Sequence, residues 1–447
     1  MSIETIKKEV NEMRSMDKII GYEGIKYELM QISDTLKNRA EYDKLGVSAP
    51  RGLLLYGEPG VGKSLMASAI IEESGRRTFT CRKNKPNGDF VNEIKKTFDD
   101  AAANAPSIVF LDDMDKFTNG DENHPDAEEY VTVQSCIDAV KGCEVFVLAT
   151  VNNIDNLPRS LYRHGRFDRK IEIEAPTGRD AEMIIDHYLK TKKFIGDIDT
   201  KTIARIMDGR SCATLETVIN EAGLYAGFER SEYITMDHFM KACLRSIYDI
   251  GSEVNFDDDL YLPSGADCGG LLSQIICHET GHAVISEVLH PESVTLVYAF
   301  SNTTGGGGFT DYYNDHTVSP LTWDKSRIIS TLGGMAALEQ RLGIFDAGNS
   351  RDLDQAFTAV SRLIERNCVS GFHLHRNRYE DSQSLMFLQE GAISAEIERY
   401  YKKAKEIIAC NKEFFDKIYQ ALEKKGILVM SDIKAIKDSC RITSVAI

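Results

Sequence analysis

The chain has 447 residues, enough for about three domains. Asp and Glu number 69 against 53 Lys and Arg, a net charge of -16, which argues against general binding to nucleic acid or to anionic membranes. The ten cysteines are scattered without a CxxC pair, so a disulfide frame or zinc ribbon is not expected, and a reducing, cytoplasmic setting is. No apolar run approaches the roughly 18 residues of a spanning helix. The leader MSIETIKKEV is charged and lacks the apolar core of a signal peptide.

In chain order, Gly52–Tyr56 (GLLLY), Ile108–Leu111 (IVFL) and Val145–Ala149 (VFVLA) read as buried strands separated by helix-period stretches. That alternation predicts a parallel sheet covered by helices on both faces, over residues 1–176. From 177 to 250 the strand patterns stop, and AEMIIDHYLK and LETVINEAGLYAGF suggest a small helical domain. Residues 251–269 are acidic and rich in turn formers, which predicts a linker. The segment 270–447 opens with a helix at Leu271–Leu289. It continues with a β pattern at Ser293–Phe300 and is mostly helical after Trp323, with two amphipathic helices in Ala395–Lys424. The run Gly305–Gly308 is expected to be a loop that either admits a close backbone approach or is simply loose.

Two motifs carry chemistry. Gly57-Glu58-Pro59-Gly60-Val61-Gly62-Lys63-Ser64 matches GxxxxGK[ST] and sits between the GLLLY strand and a helical pattern. In that context the backbone N–H groups cradle phosphates, Lys63 reaches the β and γ phosphates, and Ser64 ligates Mg²⁺. A second strand delivers Asp112 beside this loop, where a carboxylate suits Mg²⁺ coordination through water. Separately, His278-Glu279-Thr280-Gly281-His282 is HExxH within a helical pattern. Its i,i+4 spacing sets both imidazoles on one face to bind one Zn²⁺, with Glu279 placed to take a proton from water. A third protein ligand is required, and spacing leaves Glu287, Asp346, Asp352 and Asp354 open. An NTPase joined to a zinc hydrolase points to ATP-driven protein unfolding that feeds a metalloprotease.

From about Asp17 to Lys434 the chain resembles the FtsH family of AAA+ zinc proteases, whose usual members are membrane-anchored hexamers. The resemblance implies an α/β AAA+ P-loop domain, a helical lid and a mainly α-helical zinc metalloprotease domain. It implies that Ile20 and Gly21 contact adenine, that Asn152 (VLATVNN) helps position the attacking water, and that Arg166 and Arg169 (HGRFDRKIEI) are arginine fingers reaching a neighbouring subunit's nucleotide. His187, Cys212 and Ala213 fall where the family touches base and ribose. The stretch STLGGMAALEQRLGIFDAGNSRDLDQA resembles the one carrying the third zinc ligand and selects Asp352. Ser293–Phe309 resembles the edge strand that pairs with an extended substrate. ATP with Mg²⁺ and Zn²⁺ are the implied cofactors, polypeptides the implied substrates, and a homo-hexameric ring the implied assembly.

The sequence departs from the family in places. The chain starts almost directly at the ATPase, so no membrane anchor is expected. The hydrolysis carboxylate after Asp112 is normally Glu but here is Asp113, shorter by one methylene and withdrawn by roughly 1 Å, a misplacement that can cost about a hundredfold in rate. The family's pore loop carries an aromatic followed by Val-Gly, whereas these positions read Pro86-Asn87-Gly88. Phe90 is expected to pack in the domain, and Arg82, Lys83 and Lys85 either line the pore or form a solvated loop. These departures keep two alternatives open: a peptidase of unfolded chains whose ATPase is slow or serves as scaffold, and a non-proteolytic chaperone-like ring.

Overall fold

The computed structural model describes residues 15–84, 87–118, 127–163, 165–190, 192–193, 198–248, 270–302, 305–313, 320–344, 350–367, 369–371, 374–375 and 383–447. The chain divides into two units, residues 1–249 and 250–447.

The first unit begins with helices α1 (Glu23–Lys37) and α2 (Arg39–Lys44) and then alternates strand and helix. The order is β1 (Gly52–Tyr56), α3 (Lys63–Ser74), β2 (Arg77–Cys81), α4 (Asn87–Ala103), β3 (Ser107–Leu111), α5 (Glu128–Ala139), β4 (Val145–Val151) and β5 (Arg169–Glu172). All pairings are parallel, and the strands lie in the order β2-β3-β4-β1-β5. β3 and β4 are buried at every position, which is why SIVFL and VFVLATV are continuous apolar runs rather than alternating ones. One face of the sheet (Leu54, Val109, Val147, Ala149) packs against Phe90, Ile94 and Phe98 of α4 and Tyr130, Val133 and Ile137 of α5. Phe90 is fully buried with its ring edge-on to Phe117, so it belongs to this core as expected. The short strands β2 and β5 mark the two edges of the sheet. Four helices follow: α6 (Gly178–Leu189), α7 (Thr200–Ile206), α8 (Cys212–Phe228) and α9 (Met236–Tyr248). The proposed linker 251–269 lies outside the described residues.

The second unit starts with α10 (Leu271–Leu289). It continues through β6 (Val294–Asn302), β7 (Gly305–Tyr312), α11 (Leu321–Thr331), α12 (Gly333–Leu342), α13 (Ser350–Glu365), α14 (Gln383–Cys410), α15 (Lys412–Lys425), β8 (Ile427–Val429) and α16 (Met430–Asp438). The strands form an antiparallel sheet in the order β7-β6-β8. The Gly305–Gly308 run is therefore not a loop. It is the first half of edge strand β7, in register with Ala299–Asn302 of β6.

Helix α10 is buried around most of its circumference. Ile276, Cys277, Ala283, Val284 and Ile285 join a core shared with α11 to α15. It crosses α12 where two glycines meet: a Cβ on Gly281 would overlap the Gly333 carbonyl, and one on Gly333 would lie 2.8 Å from the Gly281 carbonyl oxygen. Only hydrogen on both sides permits this approach, and it carries the HExxH turn against α12.

Candidate functional sites

In the first unit a cavity of about 600 Å³ is lined by the loop after β1, the N-terminal segment and the helical part. Ile20, Pro59, Gly60, Val61, Gly62, Lys63, Ser64, Asp113, Asn152, His187, Cys212 and Ala213 all reach it. The loop's geometry explains its glycines. Gly57, Gly60 and Gly62 have φ of 147°, 81° and 98°, conformations that L side chains rarely adopt. A Cβ on Gly60 would also lie 2.8 Å from the Ala213 methyl, where the Ala213 N–H donates to the Gly60 carbonyl at 3.1 Å. The other side of the cavity is clamped similarly. Gly21 and Tyr22 have positive φ, the Tyr22 N–H donates to Asp180 Oδ1 at 3.1 Å, and the Tyr22 hydroxyl donates to the Glu174 carbonyl at 2.9 Å.

Lys63 is buried and donates to the Gly57 and Glu58 carbonyls, at 2.7 Å each. Burial lowers its pKa, although the nearby Asp115, Asp113 and Asp112 oppose this. Ser64 donates to Asp112 Oδ1 at 3.4 Å, and the Thr150 hydroxyl donates to the same oxygen at 2.8 Å. The Asp113 N–H donates to Thr150 Oγ1 at 2.9 Å. Asp113 itself is left-handed (φ 53°), and its carboxylate is held by Lys116 at 2.8 Å and by Arg82 at 3.3 Å. Burial works against that carboxylate, but Lys116 and Arg82 outweigh it and hold its pKa below the usual range.

Arg82 stays largely exposed beside Asp113, whereas Lys83 turns inward. Lys83 donates to the Phe117 carbonyl at 2.7 Å and lies 3.8 Å from the buried Glu129 carboxylate. Of the two expectations, a pore lining or a solvated loop, the solvated loop fails for Lys83, which the buried Glu129 carboxylate attracts, while Arg82 remains at the surface paired with Asp113. Lys85 and Pro86 lie outside the described residues, and Asn87 and Gly88 open α4. Asn152 donates to Asp115 Oδ2 at 3.1 Å, whereas Asp115 Oδ1 is buried without a partner among the described residues. Arg166 and Arg169 do not reach the cavity. Arg166 is bound to Asp138 (2.7 Å), Gln134 (2.9 Å) and the Ser160 carbonyl (2.7 Å), and Arg169 is exposed on β5.

In the second unit His278 and His282 lie one turn apart on α10 with their rings edge to face. Their Nε2 atoms are 3.0 Å apart, and Asp352 Oδ2 of α13 lies 3.0 Å from the first and 3.2 Å from the second. Among the described residues, these three form the one group of three or more His, Cys, Asp or Glu side chains placed to hold a metal ion. Edges of this length match a tetrahedral ion with bonds of about 2.0 Å. The His282 Nδ1–H donates to the Ser330 carbonyl at 2.7 Å, which fixes the tautomer and leaves the Nε2 lone pair facing Asp352. Burial opposes charge on His282, but Asp352 and Glu279 raise its pKa. Burial likewise opposes the Asp352 carboxylate, and the two imidazoles more than reverse it, holding its pKa well below the usual range. Three lone-pair atoms converging at such distances call for a shared cation, and the residues fit Zn²⁺.

Glu279 is 5% exposed, and burial raises its pKa against the pull of both histidines. The Thr310 hydroxyl of β7 donates to its Oε2 at 2.8 Å. Two glycines make room for the pair: a Cβ on Gly308 would lie 2.7 Å from Glu279 Cγ, and one on Gly334 would enter the His278 ring. Glu287 does not contribute to the cluster. It accepts from the Glu292 and Val294 N–H groups at 3.0 Å each and pairs with Lys437 at 3.0 Å, so it fixes the turn into β6. Asp354 faces away into a second groove, and Asp346 lies outside the described residues.

Sequence reasoning did not single out Thr310, Gly334, Thr150 or Asp115. The first two are distant in sequence from the groups they support, whereas Asp115 stood in plain view in DDMDKF.

A P-loop ATPase unit and a unit with an HExxH-plus-Asp metal site define an ATPase-metallopeptidase class. A family model, "ATPase family associated with various cellular activities (AAA)", matches residues 53–175. The "ATP-dependent zinc metalloprotease FtsH" of Pelobacter propionicus is 27% identical over 94% of this chain and 71% of its own length. That of Mycoplasma pneumoniae is 28% identical over 95% and 62%, and the mitochondrial FTSH 3 of Oryza sativa is 29% identical over 93% and 54%. Along most of its length the chain is similar to these FtsH proteases. It spans from about half to seven-tenths of the length of these relatives. No helix among the described residues is long and apolar enough to cross a membrane.

Proposed function

We infer that the protein is an ATP-dependent zinc metalloprotease acting on polypeptides. The observation that carries this reading is the convergence of His278, His282 and Asp352 beside a buried Glu279, in a chain that also holds a complete P-loop. Zinc, when bound, supplies Lewis acidity toward water and the substrate carbonyl. Glu279, oriented by Thr310, takes a proton from the attacking water and returns it to the departing amine nitrogen. A peptide laid along the free edge of β7 would present its backbone to that cleft.

In the first unit Ile20 and Gly21 hold adenine, His187, Cys212 and Ala213 meet base and ribose, and the loop Gly57 to Ser64 holds the phosphates. Lys63 leaves the Gly57 and Glu58 carbonyls to meet the β and γ phosphates, while Ser64 and Asp112 hold Mg²⁺. Asp113 and Asn152 direct water. Arg166 and Arg169, turned away from their own cavity, serve a neighbouring nucleotide, which supports a hexameric ring. Residues 177–250 act as lid and 251–269 as linker to the peptidase domain. A cytoplasmic, reducing location suits this reading, because Cys81, Cys243 and Cys277 are buried free thiols. The names of the relatives and the complete donor set do not favour the scaffold-only or non-proteolytic alternatives.

The test is degradation of a stably folded reporter with an unstructured tail, beside casein, with ATP, without nucleotide, and with Glu279→Gln. The expected result is ATP-dependent loss of the reporter that Glu279→Gln abolishes. Cutting of casein alone, indifferent to ATP, would return the ATPase to a scaffold, and cutting unaffected by Glu279→Gln would remove the protease assignment.

A further inference from the structure

A second groove, of about 690 Å³, runs between α11 and α13. It adjoins the metal cleft, with Thr331, Arg351 and Gln355 lining both. Three arginines line it: Arg327 from α11, and Arg351 and Arg362 from α13. Arg351, Gln355, Thr358 and Arg362 follow i, i+4, i+7, i+11 spacing, one face of α13, while Ala356, Val360, Leu363 and Ile364 on the other face are buried in the core. Asp324 and Asp354 also line the groove, yet among the described residues no carboxylate pairs with any of the three arginines. In a chain with 69 acidic against 53 basic side chains, three guanidiniums along one groove without a carboxylate partner among the described residues are a local departure from the overall charge. Each presents a planar fork of donors suited to a carboxylate.

We propose that this groove is a substrate subsite that binds an acidic side chain, or a terminal carboxylate, of the polypeptide lying in the metal cleft. The inference rests on the protease reading and names the substrate class it favours. Arg327 and Arg362 are the specificity-determining residues, because neither lines the metal cleft. At physiological salt, charge interactions are screened beyond about 8 Å. The molecule's overall negative charge therefore does not offset a local arginine groove, and the preference weakens as salt rises.

The test uses the full chain with Zn²⁺, Mg²⁺ and ATP on internally quenched peptides. A single Glu, or a Gln in its twin, is walked residue by residue along both sides of the scissile bond. At one or two adjacent positions the Glu peptide is expected to show about a tenfold higher kcat/KM, the scale of a charge-assisted contact. Arg327→Gln with Arg362→Gln should bring the pair to parity while leaving the all-neutral peptide unchanged, and Arg362→Glu should shift the preference toward a Lys peptide. Equal cleavage of Glu and Gln twins at every position overturns the proposal, including where a second copy of the chain covers the groove. The same peptides are titrated against the Glu279→Gln variant by fluorescence anisotropy. If nothing is cut by the wild type, the protease reading fails. The groove then stands only if acidic peptides bind about tenfold tighter and lose that advantage in the Arg327/Arg362 variant; equal binding overturns it.

Discussion

Asp113 combines a short side chain with two cationic partners, Lys116 and Arg82, that draw it to one side of the nucleotide cavity. Lengthening it should matter more than repositioning it. Asp113→Glu is expected to raise steady-state phosphate release by about ten- to a hundredfold, the reverse of the loss that a shift of about 1 Å imposes. Unchanged turnover would assign the restraint to the two cations instead. At the metal cleft, Gly308→Ala would drive a methyl group into Glu279 Cγ, Ile275 and the Tyr298 carbonyl. Peptide cleavage should fall by about a hundredfold, with zinc content, read by atomic absorption, retained because no ligand is touched. A third residue-scale effect concerns pH. The Arg166 guanidinium first, then Lys141, holds Asp138 at a pKa of about 2, below its ordinary 3.8. A depressed carboxyl contributes stability that is complete above the ordinary value and is lost as pH falls through the lower one. The pair is 38% exposed on the Asp138 side, so Asp138→Asn should cost less than about 1 kcal/mol at neutral pH. In urea unfolding the gap from wild type should close as pH drops from about 4 toward 2.

At the scale of elements, periodicity located α10 at its observed bounds and the strands β1, β3 and β4 closely, because buried parallel strands and a core helix are apolar without interruption. β2, β5 and β8 were not legible. RTFTC and RKIE are half-exposed edge strands, and ILV is only three residues long. β7 was misjudged because glycine has poor strand propensity, and pairing with β6 overrides it. The candidate metal ligands on α10 were readable from spacing, but Asp352 was not, since it enters from another helix and needed the family resemblance. The fate of Glu287 was equally hidden: it depended on a contact with Lys437, far away in sequence. The α10–α12 crossing supplies the element-scale prediction. Gly281→Ala must push α12, through its Gly333 carbonyl, away from α10, costing about 1–3 kcal/mol as overpacking does. Thermal unfolding should move down, and zinc affinity with it, because Gly334 beside His278 lies on the displaced helix.

At the scale of the whole molecule, each unit carries its own hydrophobic core and its own cofactor chemistry. Ligands that bind only the folded form stabilise what they bind. In calorimetry, ATP with Mg²⁺ should raise the transition of residues 1–249 and a zinc chelator should lower that of residues 250–447. At ligand concentrations about a hundred times Kd the stabilisation is about 2.7 kcal/mol. A Lys63→Ala variant should lose the first response and keep the second. If both treatments move every transition alike, the two units unfold as one.

The glycine half of β7 has a thermodynamic consequence for turnover. Glycine surrenders more backbone freedom on ordering than any other residue, and here the sheet holds it from one side only. An incoming peptide that pairs along the free edge would complete the ladder and quiet this stretch, so part of its binding energy is spent on ordering the enzyme. Departing fragments, too short to hold the ladder, return that entropy as they leave. The strand thereby favours long chains over their products, and amide exchange at Gly306 to Gly308 should slow when an uncleavable peptide is bound and recover when it is washed out.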